Sequence, residues 1–136
     1  YTSDNFFKSF STKHSKLFDG VRWDSGDPLE FTDKVLNHYQ RYRIDPRSKT
    51  VVYSDALDLE KVKEIKHYVN GRLHDVYGIG TYLSNDVGVQ PLNMVIKLFA
   101  AKPAGWTTFV PTVKLSDVEG KHTGEPSEIA FCLQTI

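Results

Sequence analysis

Three short stretches of this sequence combine residue types that serve ligand chemistry. Arg22-Trp23-Asp24-Ser25-Gly26-Asp27-Pro28 sets two carboxylates around a glycine turn. There they can accept hydrogen bonds from sugar hydroxyls or hold Mg²⁺ through water, since Mg²⁺ favours oxygen ligands beside substrate phosphates. Asp27 also suits the cap of a helix that Pro28 would open, whereas Asp24 is open to a functional role or to a turn bond with its own backbone. Ser54-Asp55-Ala56-Leu57-Asp58 is the second stretch, with Asp58 suited to a cap and Asp55 free to face a strand-end crevice. Gly78-Ile79-Gly80-Thr81 is the third: glycine lets the backbone approach an anion, successive N–H groups can cradle a phosphate, and the Thr hydroxyl adds a donor. The same residues also suit an ordinary tight turn.

Other residues carry less. His14, His38, His67, His74 and His122 show no HExxH spacing, and no GxSxG, P-loop or Rossmann glycine motif is present. Lys97, Lys114 and Lys121 flank the C-terminal strands, where they can reach a phosphate or simply solvate a sheet edge.

The elements that must position these stretches follow from periodicity. Residues 1–16 place Phe6, Phe7 and Phe10 on one face of a short helix with Asp4 as cap, and Leu17 to Trp23 reads as a buried strand. Asp27, Pro28 and Glu30 give a cap, a first helical residue and a capping-box carboxylate. Leu29, Val35, Leu36, Tyr39 and Tyr42 form the stripe of a helix running to about Arg43, before Asp45-Pro46. Thr50 to Ser54 is a second strand. Asp58 caps a second helix with Leu59, Val62, Ile65, Tyr68 and Val69 inward, and Gly71 closes it. Leu73 to Tyr77 is a third strand. Strand, helix, strand, helix, strand is the pattern of parallel βα units, whose carboxyl ends bind ligands; right-handed units in sequence place Asp24, Asp55 and Gly78 at one end of the sheet.

A boundary falls near Gln90-Pro91, dividing 1–90 from 91–136. Beyond it, Asn93 to Ala101 and Thr107 to Leu115 read as an antiparallel hairpin around Lys102 to Trp106. Ser116 to Lys121 is a polar turn, and Pro126 to Leu133 opens a helix.

The 136 residues carry 17 Lys+Arg against 17 Asp+Glu, so the excess positive charge that phosphate-backbone binding requires is missing and nucleic acid is not an expected partner. Cys132 alone offers neither a disulfide nor a CxxC pair, which suits a reducing compartment. No apolar run approaches a membrane span and the N-terminus lacks signal character, so a cytoplasmic protein is expected. The absence of an initiator Met suggests processing, truncation or a fragment.

Gly20 to Pro28, Tyr53 to Asp58, Tyr77 to Thr81 and Pro91-Leu92-Asn93-Met94-Val95-Ile96-Lys97-Leu98, in this order, resemble the C-terminal part of the nicotinate phosphoribosyltransferase family over nearly the whole chain. Lys114-Leu115-Ser116-Asp117 with Gly120-Lys121 extends the likeness into the tail. The resemblance implies an α/β fold: the C-terminal portion of an irregular type II phosphoribosyltransferase α/β barrel over 1–90, followed by a β-hairpin segment of the α/β sandwich domain over 91–136. It implies formation of nicotinate mononucleotide and diphosphate from nicotinate and 5-phosphoribosyl 1-diphosphate in NAD biosynthesis. ATP hydrolysis drives that reaction through a phosphorylated histidine whose motif belongs upstream of Tyr1, so independent activity of this chain is not expected.

By position, the resemblance puts Arg22 near the nicotinate carboxylate, Asp24 near the ribose or diphosphate as the catalytic carboxylate, and Ser54 and Asp55 along the ribose wall. Gly78, Ile79, Gly80 and Thr81 surround the 5-phosphate. ATP and Mg²⁺ are the implied cofactors and a homodimer of the full-length protein the implied assembly, with no nucleic acid or membrane partner. Gly88-Val89-Gln90 and Lys102 to Trp106 vary the pattern and receive no role. The alternatives from the residues alone are a non-catalytic phosphate- or nucleotide-binding module, and an inactive fragment whose barrel edges drive association.

Overall fold

A parallel sheet carries all three strand ends. The computed structural model describes residues 3–90, 92, 94–116 and 120–135, and its strands β1 (Gly20–Trp23), β2 (Thr50–Tyr53) and β3 (His74–Tyr77) lie in that order. Both pairings are parallel and in register, so Trp23, Tyr53 and Tyr77 stand abreast at the carboxyl ends. Side-chain alternation sends these aromatics to one face and Arg22, Val52 and Val76 to the other.

Helices α1 (Ser3–Ser9) and α2 (Thr12–Leu17) precede the sheet, α3 (Pro28–Arg41) connects β1 to β2, and α4 (Leu59–Val69) connects β2 to β3. The caps expected from the sequence form. Asp27 Oδ1 accepts the N–H groups of Leu29 at 2.7 Å and Glu30 at 3.0 Å, and Asp58 Oδ1 accepts that of Lys61 at 2.8 Å. Glu30 does not complete a capping box; it pairs with Lys34 one turn on, at 3.1 Å. Asn70, in the left-handed conformation, ends α4 immediately before Gly71.

Both crossover helices cover the aromatic face. Thr32 of α3 and the Tyr53 hydroxyl share a 2.5 Å hydrogen bond, Lys66 of α4 pairs with Asp75, and Tyr68 of α4 donates to Asp33 of α3 at 2.7 Å. Val35, Tyr39, Val51, Tyr53, Ile65 and Val69 are fully buried in the resulting core. The other face is uncovered: Arg22 is exposed and Val76 keeps 49% of its surface.

Two sequence expectations are corrected here. Leu17 does not open a strand but ends α2, a helix stabilised where Ser15 Oγ donates back to the Ser11 carbonyl, and β1 starts at Gly20. Leu59, expected in the buried stripe of α4, is the first residue of that helix and is exposed.

His38 is the histidine that the fold buries. Its Nε2 and Ser15 Oγ are 2.8 Å apart, and the rings of Phe7, Phe10 and Tyr42 surround it at 5.2, 5.5 and 4.9 Å. Burial, helped by the nearby Arg41 charge, lowers its pKa below the ordinary 6.5. The unfolded chain therefore binds the proton first as pH falls, so stability is full above about pH 6.5 and declines below it towards the folded pKa. Urea midpoints at pH 7.5 and 5.5 check this in the full-length protein: His38→Gln should flatten the decline, and an unchanged decline would show that His38 is not its source.

Residues Phe7–Pro91 form one compact unit; Tyr1–Phe6 with Leu92–Ile136 form another. In the second, β4 (Ala100–Ala101) and β5 (Val110–Pro111) pair antiparallel and Lys114 bridges Thr123. The short helix α5 (Thr81–Ser84) belongs to the first unit, and α6 (Pro126–Thr135) follows the hairpin where a helix was expected. The hairpin is much shorter than the sequence suggests. Pro111 lacks an N–H to continue the ladder, and an isolated pair of strands holds little structure by itself. Leu92, Ile96 and Leu98 consequently keep 89, 85 and 71% of their surface. Pro91 at the expected boundary, Asn93 at the expected strand start and Asp117 to Glu119 in the expected polar turn lie outside the described residues. Among the described residues no helix is long and apolar enough to cross a membrane.

Candidate functional site

The register of the sheet brings the three sequence stretches to one edge. Arg22 and Asp24 leave β1 on the open face, Ser54 follows β2 and Gly78 follows β3 on that same face. Arg22 Nη1 donates to Asp24 Oδ1 at 2.9 Å and to Ser54 Oγ at 3.1 Å, tying the first two strand ends together. Ser54 Oγ donates in turn to the Trp23 carbonyl at 3.1 Å. The Gly78 N–H donates to the Tyr53 carbonyl at 2.8 Å, and a Cβ on Gly78 would stand 3.2 Å from that of Ser54, so the second and third ends touch through a glycine.

That bond changes the expected anion cradle. Gly78 spends its N–H on the ladder, whereas among the described residues the N–H groups of Ile79, Gly80 and Thr81 have no partner. Gly80 has open space where a side chain would project and a negative φ of −95°, so neither packing nor a left-handed turn demands glycine there. Ser54, Gly78, Gly80 and Thr81 line a cleft of about 660 Å³. Tyr82, Asn85, Asp86 and Gln90, which also line it, were not assigned from the sequence. The signal was the polar Asn85-Asp86 pair with Gly88, whose φ of +77° turns the chain.

Arg22 and Asp24 sit beside this cleft, joined to its wall through Ser54. Asp55 is half-buried in the turn after β2, and neither it nor Ile79's side chain is part of the wall. Beneath the edge, Trp23 and Tyr53 lie 6.1 Å apart and Tyr53 stacks on Tyr77 at 5.7 Å. Burial pushes the Tyr53 phenol up to about 12 and raises that of Tyr77 as well, with the Asp75 carboxylate adding to the latter. Both stay neutral at neutral pH. Among the described residues no group of three or more His, Cys, Asp or Glu side chains converges as a metal cage.

The sequence model of the nicotinate phosphoribosyltransferase family matches residues 1–129. The chain belongs to that family. A nicotinate phosphoribosyltransferase of Chromohalobacter salexigens is 54% identical over all 136 residues, and one of Desulforapulum autotrophicum is 50% identical over the same span. The crystal structure of the nicotinate phosphoribosyltransferase from Porphyromonas gingivalis superposes with a TM-score of 0.91 at 46% identity, covering 99% of this chain. The chain spans 35% of the length of each of these three family members. Against them, its mixed α/β fold with a parallel sheet is that of a nicotinate phosphoribosyltransferase segment.

Proposed function

We propose that this chain supplies the phosphoribosyl-binding edge of an enzyme that joins nicotinate to 5-phosphoribosyl 1-diphosphate, releasing diphosphate and forming nicotinate mononucleotide for NAD biosynthesis. The observation that carries this reading is the convergence of Arg22, Asp24 and Ser54 with three partnerless backbone N–H groups, those of Ile79, Gly80 and Thr81, at one sheet edge. Those N–H groups and the Thr81 hydroxyl would hold the 5-phosphate. The Asp24 carboxylate would face the sugar carbon that becomes cation-like as diphosphate leaves, stabilising charge that exists only in the transition state. Arg22 would take the nicotinate carboxylate, and Ser54 and Asp55 would border the ribose.

The open sheet face supports the finer architecture. A parallel sheet is normally covered on both sides, and here Arg22, Val52 and Val76 face away from both helices. In the reading proposed, that face is the inside of an irregular α/β barrel whose other strands come from the rest of a full-length polypeptide, and the residues from 91 on belong to its α/β sandwich domain. Mg²⁺ fits the donor set: Asp24 gives Oδ1 to Arg22 and keeps a second oxygen, and one carboxylate with substrate phosphates is a usual Mg²⁺ environment. When bound, the ion would neutralise charge on the departing diphosphate. ATP coupling, with a phosphorylated histidine upstream, extends the reading, as do a cytoplasmic location and a full-length homodimer acting on small molecules alone.

The test uses a full-length enzyme carrying these 136 residues and its Gly80→Val variant. A Cβ at 80 has no neighbour within 4 Å, so KM for 5-phosphoribosyl 1-diphosphate should rise by about tenfold or more, as an obstructed phosphate would require, and by more than any shift in the unfolding midpoint accounts for. Loss of stability with unchanged affinity would favour the turn reading of this loop, and absence of nicotinate mononucleotide from the unaltered enzyme would refute the proposal.

A further inference from the structure

Arg22 is a long side chain with 59% of its surface exposed, and an exposed ion pair to Asp24 alone does not hold a guanidinium in one plane. Nη1 has two N–H bonds and spends both, one on Asp24 Oδ1 and the other on Ser54 Oγ. The Nε and Nη2 groups have no partner among the described residues. They form the side-on edge of the guanidinium, with two parallel N–H bonds matched to the two oxygens of a carboxylate.

Ser54 is itself held in place from several directions. Its N–H and its hydroxyl both donate to the Trp23 carbonyl at 3.1 Å, leaving the hydroxyl lone pairs for Arg22. Beside it stands Gly78, where a Cβ would approach Ser54 Cβ to a tight 3.2 Å and push the serine by a few tenths of an ångström. The serine thus transmits the spacing of β1, β2 and β3 to the plane of one guanidinium.

We infer that Ser54 is a positioning residue: its hydroxyl, anchored on the Trp23 carbonyl, orients Arg22 so that the free Nε–Nη2 edge receives the carboxylate of the pyridine substrate. This rests on the proposed reaction and goes beyond it, because Ser54 then governs recognition of the acid through Arg22 in addition to bordering the ribose.

The experiment measures steady-state kinetics of the full-length enzyme with Ser54→Ala, Ser54→Thr, Arg22→Lys and the Ser54→Ala/Arg22→Lys double variant, varying each substrate in turn. Ser54→Ala should raise KM for nicotinate by about tenfold, with a clearly smaller rise, of about threefold or less, in KM for 5-phosphoribosyl 1-diphosphate. Ser54→Thr, which keeps the hydroxyl, should stay within about threefold of the parent on nicotinate; if Ser54→Ala does not fold, this variant and the Arg22 background decide the matter. Arg22→Lys removes the fork, so adding Ser54→Ala to it should have no further effect on nicotinate. A rise in KM for 5-phosphoribosyl 1-diphosphate instead, additive effects in the double variant, or a loss of nicotinate affinity in Ser54→Thr as large as in Ser54→Ala would each overturn the inference. An unaltered enzyme that forms no nicotinate mononucleotide would overturn the underlying reaction instead.

Discussion

Replacing Gly20 by alanine should destabilise the first unit by on the order of 4 kcal/mol, among the largest effects that a single methyl group produces. Gly20 opens β1 opposite Thr50, and a Cβ built on it would stand 1.9 Å from the Thr50 carbonyl oxygen and 2.7 Å from its carbonyl carbon. These are backbone atoms at the first pair of the β1–β2 register, so no side-chain rotation relieves the overlap; the strands must separate there. Separation would break the Thr50 N–H bond to the Asp19 carbonyl, 2.9 Å long, and disturb the register that sets Trp23 beside Tyr53. A glycine in a strand marks such a close backbone approach. Urea or thermal unfolding of the full-length protein checks the expectation, with Gly26→Ala as a comparison at a turn glycine that has open space but a φ of +82°. The turn variant should lose roughly 1–2 kcal/mol for its left-handed backbone alone. An equal or smaller loss at Gly20 would contradict the strand spacing described above.

Much of the first unit was legible because its signals are local. Asp27-Pro28 and Asp58 announce helix starts through side-chain bonds to residues two or three positions on, and the β-branched run Thr50 to Tyr53 can hardly be anything but a buried strand. Parallel order followed from the alternation of strands and helices, and with it the expected convergence of Asp24, Asp55 and Gly78 at one end of the sheet, although it is Ser54 and not Asp55 that the structure bonds to Arg22. Legibility ended where the controlling contact is distant in sequence. The boundary between α2 and β1 depends in part on Lys49, whose ammonium donates to the Phe18 carbonyl at 2.7 Å from across the sheet. Ser15 looks like a surface serine in a polar helix, yet it is fully buried against His38.

The tail was over-read for a related reason. The run from Met94 to Phe99 has strand composition but meets a partner strand only at its end, where the Phe99 carbonyl accepts the Thr112 N–H at 3.0 Å, and composition cannot reveal how far a partner extends. At the site, the sequence indicated which residues converge but not how they divide the work. Gly78 and Gly80 are indistinguishable in the motif; the structure makes the first a spacer against Ser54 and leaves open space beside the second. Arg22 and Ser54, separated by 32 positions, gave no sign of the bond between them.

The account stands most directly on Asp24, and Asp24→Asn in a full-length enzyme carrying these residues tests it. Asparagine keeps an oxygen that can accept the 2.9 Å bond from Arg22 Nη1, so the guanidinium should keep its place while the negative charge is lost. With 58% of the Asp24 side chain exposed, the change should cost little stability. The charge is needed only as the sugar centre becomes cationic, so the loss belongs in kcat: about 10²–10³-fold is the scale for removing one such preorganised group. The measurement is the rate of nicotinate mononucleotide formation at saturating substrates, with KM for nicotinate and the unfolding midpoint followed alongside. The account predicts a fall of that size in kcat with both other quantities nearly unchanged. A variant that turns over at the parent rate would contradict the assignment of this strand end to the reacting ribose.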